Sequence, residues 1–324
     1  MMTKNLKVFF ITFLISLPFW WGMNIFQKDL EDVLFWASIG NSSELLASQI
    51  NQQIVVEPPR PARIEQVPEP SFQATSVLSI LIKENGSQQV LFEKNSEEKL
   101  PIASLTKLMT VAVVLENYAP DLMIEISKNA VDEEQDIGQF KVGEKFTVQN
   151  LLYSLLIESS NDAAFALSEI IGLDNFVGLM NIKGAELDMT KTYFVNSTGL
   201  DPDTIKEPVD YSTAKDLAIL ADYLRRKDPQ MLQITTLPDF DLFTPDNVFH
   251  HKIKNTNELL AGEGLGLKVL GSKTGWTPLA QGCLLMVFKA PKSNDIIINV
   301  ILGSPDRFVE MKTLIKWLEE AYVW

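Results

Sequence analysis

Pro101-Ile102-Ala103-Ser104-Leu105-Thr106-Lys107-Leu108-Met109-Thr110 is the stretch that decides how this chain is read. Ser104 opens an apolar helix predicted over 104–117, with Leu105, Leu108, Met109, Ala112 and Leu115 at helical spacing. Lys107 follows one turn on, over the same face. The serine sits in the positive field of the helix start. Ser-x-x-Lys is a weak signal by itself and recurs twice. Ser96 to Lys99 lies in a polar run that reads as a solvated turn. Ser212 to Lys215 reads as an N-cap, Ser212, opening a helix over 212–226. Taken alone, Ser104 reads equally well as a simple cap.

Two further motifs follow in order. Ser159-Ser160-Asn161 separates helices predicted at 148–157 and 161–171, where a polar loop can point into a cleft. Its plain alternative is a helix cap at Ser160 or Asn161. Ser127-Lys128-Asn129 matches the same pattern in a charged segment that reads as exposed. Lys273-Thr274-Gly275 occurs once, ahead of the apolar strand predicted at Cys283 to Lys289, and its glycine lets another backbone approach closely. Gly266 to Gly271 followed by Ser272-Lys273-Thr274 is one residue out of register with a phosphate-binding loop. Trp276-Thr277-Pro278 also denies it the helix that loop needs. Together the three motifs supply a nucleophile, two lysines, a hydroxyl and an amide, which are the parts for covalent attack on an amide bond.

Around the motifs, strands are predicted at 77–82 and 90–93 about a turn at Asn85-Gly86, and late strands at 282–289 and 295–303. Helices are expected at 174–187 and 306–322 as well. Strands first and last with helices between predict an α+β domain over 72–324. Ahead of it, Pro58-Pro59-Arg60-Pro61 and Pro68-Glu69-Pro70 favour extended backbone. Residues 28–71 therefore read as a linker, with 57–71 its Pro-rich spacer and a possible amphipathic helix at 44–50.

Lys4 and Lys7 precede an apolar stretch from Val8 to Phe26, about one bilayer crossing at roughly 20 residues. Asp29, Glu31 and Asp32 follow it. Positive residues before the span and acids after it put the N-terminus in the cytoplasm and the bulk outside. Residues 1–27 thus read as a single-pass membrane anchor with an extracytoplasmic domain, or else as a signal segment cleaved before secretion.

The chain has 324 residues, 46% hydrophobic content and a formal net charge of −14. So acidic a surface argues against nucleic-acid partners. The one cysteine, Cys283, cannot form an internal disulfide and reads as a buried strand thiol. The adjacent His250 and His251 should point to opposite faces of a strand, which makes them poor joint metal ligands. No metal or cofactor is expected.

With these residues in view, the chain resembles the low-molecular-weight penicillin-binding proteins, the serine D-alanyl-D-alanine carboxypeptidases. The likeness extends to Glu158-Ser159-Ser160-Asn161-Asp162-Ala163-Ala164, Phe194 to Asp201, Tyr211 to Ala218, and Asn255-Thr256-Asn257 ahead of Lys273-Thr274-Gly275-Trp276-Thr277. It covers roughly residues 72–324. It implies a β-lactamase/transpeptidase-like fold, a five-stranded antiparallel sheet against a helical lobe. The implied substrate is a peptidoglycan stem peptide ending in D-Ala-D-Ala, with β-lactams as inhibitors. Ser104 would attack the carbonyl between the two D-alanines, with Lys107 as base. Ser159 would sit between the lysines and relay the proton to the leaving amine, Asn161 would orient Lys107 and hold the substrate's amide, and Lys273 would complete the set. The resemblance implies an oxyanion hole from the backbone N–H groups of Ser104 and Trp276. It also implies substrate contacts at Thr274 and Gly275. Arg307 is the candidate partner for the terminal carboxylate, against a plain reading as a surface arginine paired with Asp306 or Glu310.

Two departures stand out. Many family members carry a second β-rich domain and a C-terminal amphipathic helix, and Trp276 replaces a residue that is commonly smaller or more polar. An endopeptidase acting on D-alanyl cross-links is the chemically close alternative. A β-lactamase would need a deacylating glutamate in a Glu-x-x-Leu-Asn loop, which neither Glu186-Leu187-Asp188 nor Glu258-Leu259-Leu260 supplies. An inactive wall-binding homologue is opposed by the intact set of motif residues.

Overall fold

Apolar runs with no polar alternation become the central strands of one antiparallel sheet, because both of its faces are covered. In the computed structural model, residues 61–324 are described except 134–138, 205–206 and 262–264. Of the first sixty residues only 8–9, 11–19, 22–23, 26–27, 29–30 and 34 are described. The chain divides into two units, Met1–Arg60 and Pro61–Trp324.

In the second unit the sheet order is β10-β11-β12-β2-β3: Lys268–Thr277, Gln281–Lys289, Ile296–Ser304, Ser76–Ile82 and Gln88–Lys94. Every residue of β2 is buried. Its even-numbered side chains, Leu78, Ile80 and Ile82, join Leu285, Val287, Ile298 and Val300 under a helical lobe. Val77 and Leu81 join Leu284, Met286, Ile297 and Ile301 on the other face. There they pack against Met311, Leu314 and Leu318 of the closing helix, Arg307–Ala321. The lobe is built from α1 (Lys107–Asn117), the short α2 (Lys128–Val131), α3 (Val148–Ile157), α4 (Asn161–Glu169), α5 (Leu173–Glu186), α6 (Ala214–Lys227) and α7 (Pro229–Ile234). The closing helix is α8.

Short ladders complete the unit. β1 (Ala62–Arg63) pairs with β13 (Tyr322–Val323), β4 (Leu100–Pro101) with β7 (Tyr211–Ser212), and β5 (Met123–Glu125) with β6 (Lys145–Thr147). β8 (Asp239–Phe243) and β9 (Phe249–Lys254) form a hairpin.

Several expectations are corrected. The globular unit begins at Pro61, not Phe72: Arg63 donates to the Ala321 carbonyl, its guanidinium lies 4.9 Å from the Trp317 ring, and Trp317 Nε1 donates to the Pro68 carbonyl. Part of the Pro-rich spacer is therefore packed structure. Lys273-Thr274-Gly275 precedes β11 as expected, but it lies inside a further strand, β10, that the sequence reading does not contain. Ser212 does not cap α6; Thr213 does, accepting from the Asp216 N–H at 3.0 Å, while Ser212 sits in β7 against the Thr192 hydroxyl. Ser96 is buried, not solvated, because its carbonyl accepts from the Lys215 N–H and its hydroxyl turns to Glu93.

His250 and His251 converge instead of diverging. Leu242 faces His251 and Phe243 faces Phe249, so His250 is the extra residue of a β-bulge and alternation fails there. Cys283 is fully buried, and burial pushes its thiol up to about 12. The stretch 44–50 lies outside the described residues. Among those described, no single helix is long and apolar enough to cross a membrane. Residues 11–19 are helical, and their large apolar side chains are exposed.

Candidate active site

The path into α1 is bent before it becomes helical. Ala103 has φ +47°, a three-residue-per-turn segment runs from Ala103 to Thr106, and α1 begins at Lys107. Ser104 therefore precedes the α-helix proper, in a tighter turn than the expected 104–117 helix. Lys107 is fully buried and its Nζ lies 3.0 Å from Ser104 Oγ. The same nitrogen donates to Asn161 Oδ1 at 2.7 Å and to the Thr198 carbonyl at 2.6 Å.

Asn161 is the first residue of α4, which Ser160 caps by accepting from the Ala163 N–H at 3.1 Å. A cap and a contact to Lys107 thus coexist in one motif. Ser159 just before it has φ +68°, a left-handed conformation uncommon for a residue with a Cβ. That conformation brings its hydroxyl to 2.8 Å from Lys273 Nζ. Lys273 also donates to the Thr274 carbonyl at 2.9 Å.

Two amines so placed act on each other. Burial holds Lys273 well below the usual lysine range, and the charges of Lys107 and Arg307 lower it further. Gly275 is needed for proximity: a Cβ there would lie 3.0 Å from the Ser104 nitrogen and 3.1 Å from Ala103 Cβ. The edge strand β10 thus runs against the serine's own amide, with Trp276 next along it, 53% exposed. Thr274 Oγ1 pairs with Thr256 Oγ1 at 2.5 Å. Arg307 opens α8 and packs its Cβ and Cδ over Gly282. Its Nε is buried without a hydrogen-bond partner, while Glu310 accepts from Ser304 Oγ and the Ala74 N–H and Asp306 accepts from the Phe308 and Val309 N–H groups.

Three contributors escaped the sequence reading. The Thr198 carbonyl is invisible to side-chain motifs. Thr256 belongs to none of the three motifs, yet its hydroxyl meets that of Thr274. Asp210, almost fully buried, accepts from Thr106 Oγ1 at 2.8 Å and from the backbone N–H groups of Val195 and Asn196. It ties the 194–199 loop to the turn that carries Ser104, and burial raises its carboxyl to about 6. An acid wedged between Val209 and Tyr211 was the available signal. Among the described residues, no three His, Cys, Asp or Glu side chains converge as a metal ion would require.

The sequence profile of the D-alanyl-D-alanine carboxypeptidase family, peptidase S11, matches residues 64–306. The chain belongs to this family. It is 30% identical over 250 residues to a D-alanyl-D-alanine endopeptidase of Pseudomonas aeruginosa, covering 76% of this chain and 78% of that one. It is 32% identical over 251 residues to the D-alanyl-D-alanine carboxypeptidase DacF of Bacillus subtilis, covering 75% of this chain and 61% of that one. Among solved structures, penicillin-binding protein D2 of Listeria monocytogenes in its cefotaxime-bound form superposes with a TM-score of 0.66 at 29% identity. That match covers 78% of this chain and 99% of the other. An evolved penicillin-binding protein homologue from Mycobacterium tuberculosis superposes at 0.70 with 26% identity, covering 81% and 98%.

Proposed function

We propose that this family member is a serine-type D-alanyl-D-alanine carboxypeptidase that trims peptidoglycan stem peptides through an acyl-enzyme on Ser104. One observation carries the reading: Lys107 Nζ stands 3.0 Å from Ser104 Oγ while two of its hydrogens are spent on Asn161 Oδ1 and the Thr198 carbonyl. In its neutral form that amine directs its lone pair at the serine hydroxyl, as a general base must.

In the proposed first step Ser104 Oγ bonds to the carbonyl carbon between the D-alanines, and its proton passes to Lys107. The developing oxyanion takes the N–H groups of Ser104 and Trp276, which β10 holds at close range. The C–N bond between the D-alanines then breaks, and the departing amine takes the proton that Lys107 accepted, relayed by Ser159, whose hydroxyl touches Lys273, so both lysines end the step as they began it. Water then attacks the acyl-enzyme and releases the shortened peptide. Thr274 and Arg307 take the substrate's terminal carboxylate. The unpartnered Arg307 Nε supports that role, since a buried guanidinium N–H lacks an acceptor until a ligand supplies one.

β-Lactams would acylate the same serine, and the likeness to a cefotaxime-bound relative supports this. Cleavage of D-alanyl cross-links is the second reading, favoured by the likeness to the Pseudomonas endopeptidase. Mass spectrometry after penicillin exposure tests the nucleophile: an adduct on the peptide containing Ser104 is expected, and none on Ser104→Ala. Purified cross-linked and uncross-linked muropeptides separate the two peptidase activities.

The N-terminal segment fits a single membrane anchor holding the catalytic unit outside the cell. Its described helical residues present exposed apolar side chains. Thr12 and Ser16 turn their hydroxyls back onto the Val8, Phe9 and Phe13 carbonyls, which hides them from lipid. N-terminal sequencing of the mature protein distinguishes an anchor from a cleaved signal.

A further inference from the structure

The helical lobe holds a cavity that the proposed reaction does not touch. Its volume is about 120 Å³, and none of Ser104, Lys107, Ser159 or Lys273 lines it. Val114 and Leu115 of α1, Val148 and Leu152 of α3, and Met231 and Ile234 of α7 supply its apolar walls. Val114, Val148 and Leu152 are buried. Val114 lies about two turns beyond Lys107 along α1.

The local sequence fixes the opening. Tyr118 leaves α1 in an extended conformation, φ −120° and ψ 142°, and Pro120 cannot continue the helix. The Tyr118 N–H still donates to the Val114 carbonyl at 2.9 Å. The Val148 N–H donates to the Leu122 carbonyl at 2.9 Å, and the Gln149 N–H to the Pro120 carbonyl at 3.0 Å. The start of α3 is thereby tied to the segment that follows α1. The site is preformed, as small-molecule sites usually are.

One polar group on the wall lacks a partner. Tyr118 is half-buried, yet its hydroxyl is enclosed and makes no hydrogen bond. Burial pushes this phenol up to about 12, so it stays an O–H donor at neutral pH. The neighbouring polar side chains are engaged. Gln149 Nε2 donates to Tyr153 Oη at 3.0 Å in an exposed pair. Asp228 Oδ1 caps α7, accepting from the Met231 N–H at 2.9 Å. A buried donor without an acceptor is costly, and a ligand that supplies one removes that cost.

Size, charge and polarity narrow the occupant. An engineered cavity of about 150 Å³ holds benzene, so this one takes a single ring. No Lys, Arg or His lines it, which excludes an anion, and its aliphatic floor excludes a buried ammonium. An ordered water needs two to four polar partners, and with the other groups engaged the Tyr118 hydroxyl supplies one.

We propose that this cavity binds a neutral single-ring molecule carrying a hydrogen-bond acceptor. The ring lies between α1, α3 and α7, and the acceptor takes the Tyr118 hydroxyl. A simple aryl ketone represents the class. The site does not depend on Ser104 chemistry.

The test uses two probes of one shape on the full chain: acetophenone, and α-methylstyrene, in which a methylene replaces the carbonyl oxygen. Both are titrated into wild type and Tyr118→Phe. The readout is the ratio of the two dissociation constants, acetophenone over α-methylstyrene. Comparing that ratio between the two proteins cancels each probe's aversion to water and its uptake by detergent. The ratio is expected to rise about tenfold in Tyr118→Phe, the loss of one hydrogen bond. A ratio that does not move overturns the proposal, as does the absence of binding by both probes.

Two further measurements place the probe. In ¹³C-methyl spectra of the wild type, shifts are expected at Val114, Leu115, Val148 and Leu152. Shifts confined to other methyl groups overturn the site. Leu115→Trp fills the cavity and should abolish binding of both probes while the melting temperature holds. Unchanged binding in that variant overturns the proposal, and if it does not fold, the Tyr118→Phe ratio and the methyl shifts decide the matter.

Discussion

A Cβ placed on Gly199 would lie 2.0 Å from the carbonyl oxygen of Ala103, the residue before the proposed nucleophile. Gly199 also has φ +80° and donates its N–H to Asn196 Oδ1 at 2.6 Å. The loop that supplies the Thr198 carbonyl to Lys107 thus rests directly on the Ser104 turn, backbone on backbone. Gly199→Ala must push the two apart. Penicillin acylation is expected to drop by about a hundredfold, with a lowered melting temperature. Near-wild-type acylation would mean that the Thr198 carbonyl does not set the lysine.

Removing the proposed base should separate stability from activity. Lys107→Met keeps the shape of the side chain and takes a buried amine out of an enclosed site. Acylation should fall by roughly a thousandfold or more. The melting temperature should fall by only a few degrees, the cost of leaving the buried Asn161 Oδ1 and Thr198 carbonyl without their donor, roughly 1–3 kcal/mol. Ser104→Ala should abolish the covalent adduct with little change in melting.

Asp210 gives a pH dependence whose sign is fixed. Burial raises its carboxyl from the usual 3.8 to about 6, so the native state binds its proton more tightly than the unfolded chain does. Stability from this group is full below about pH 4 and is lost as pH rises toward 6. Asp210→Asn should flatten the denaturation midpoint over that window. An unchanged slope would show that another group dominates it.

Arg307→Ala should raise KM about ten- to a hundredfold for a peptide ending in a free carboxylate, and leave a C-terminally amidated peptide unaffected. Arg307→Lys should recover only part of the loss, since an ammonium lacks the planar fork that matches a carboxylate. Equal effects on both peptides would assign the arginine to packing beside Gly282.

The sequence reading reached the elements whose pattern is local. Helices at 148–157 and 161–171 are found at Val148–Ile157 and Asn161–Glu169, and the late strands at 282–289 and 295–303 lie within a residue or two of β11 and β12. β10 was missed because its segment is broken by small and polar residues, Gly271-Ser272-Lys273-Thr274-Gly275, and is buried by its neighbours rather than by its own hydrophobicity. Of the hairpin β8–β9 only a strand through His250 and His251 was legible, since Phe249-His250-His251-Lys252 alternates poorly across a bulge. The side chains at the site were legible as types at spacings. What holds them was not: the Thr198 carbonyl, the Asp210 clamp and the left-handed backbone at Ala103 and Ser159 are products of tertiary contact. The packed start at Pro61 was hidden because prolines signal extended backbone, and an extended segment can still lie against a helix.

The short pairing of Ala62–Arg63 with Tyr322–Val323 makes the catalytic unit nearly a closed ring of polypeptide. Its first and last strands share one hem, so a tug on either end is felt by the other across two residues of ladder. A unit sewn shut this way could be joined end to end and reopened at a surface loop elsewhere, keeping the contacts of the edge strand with the Ser104 and Ser159 turns whole.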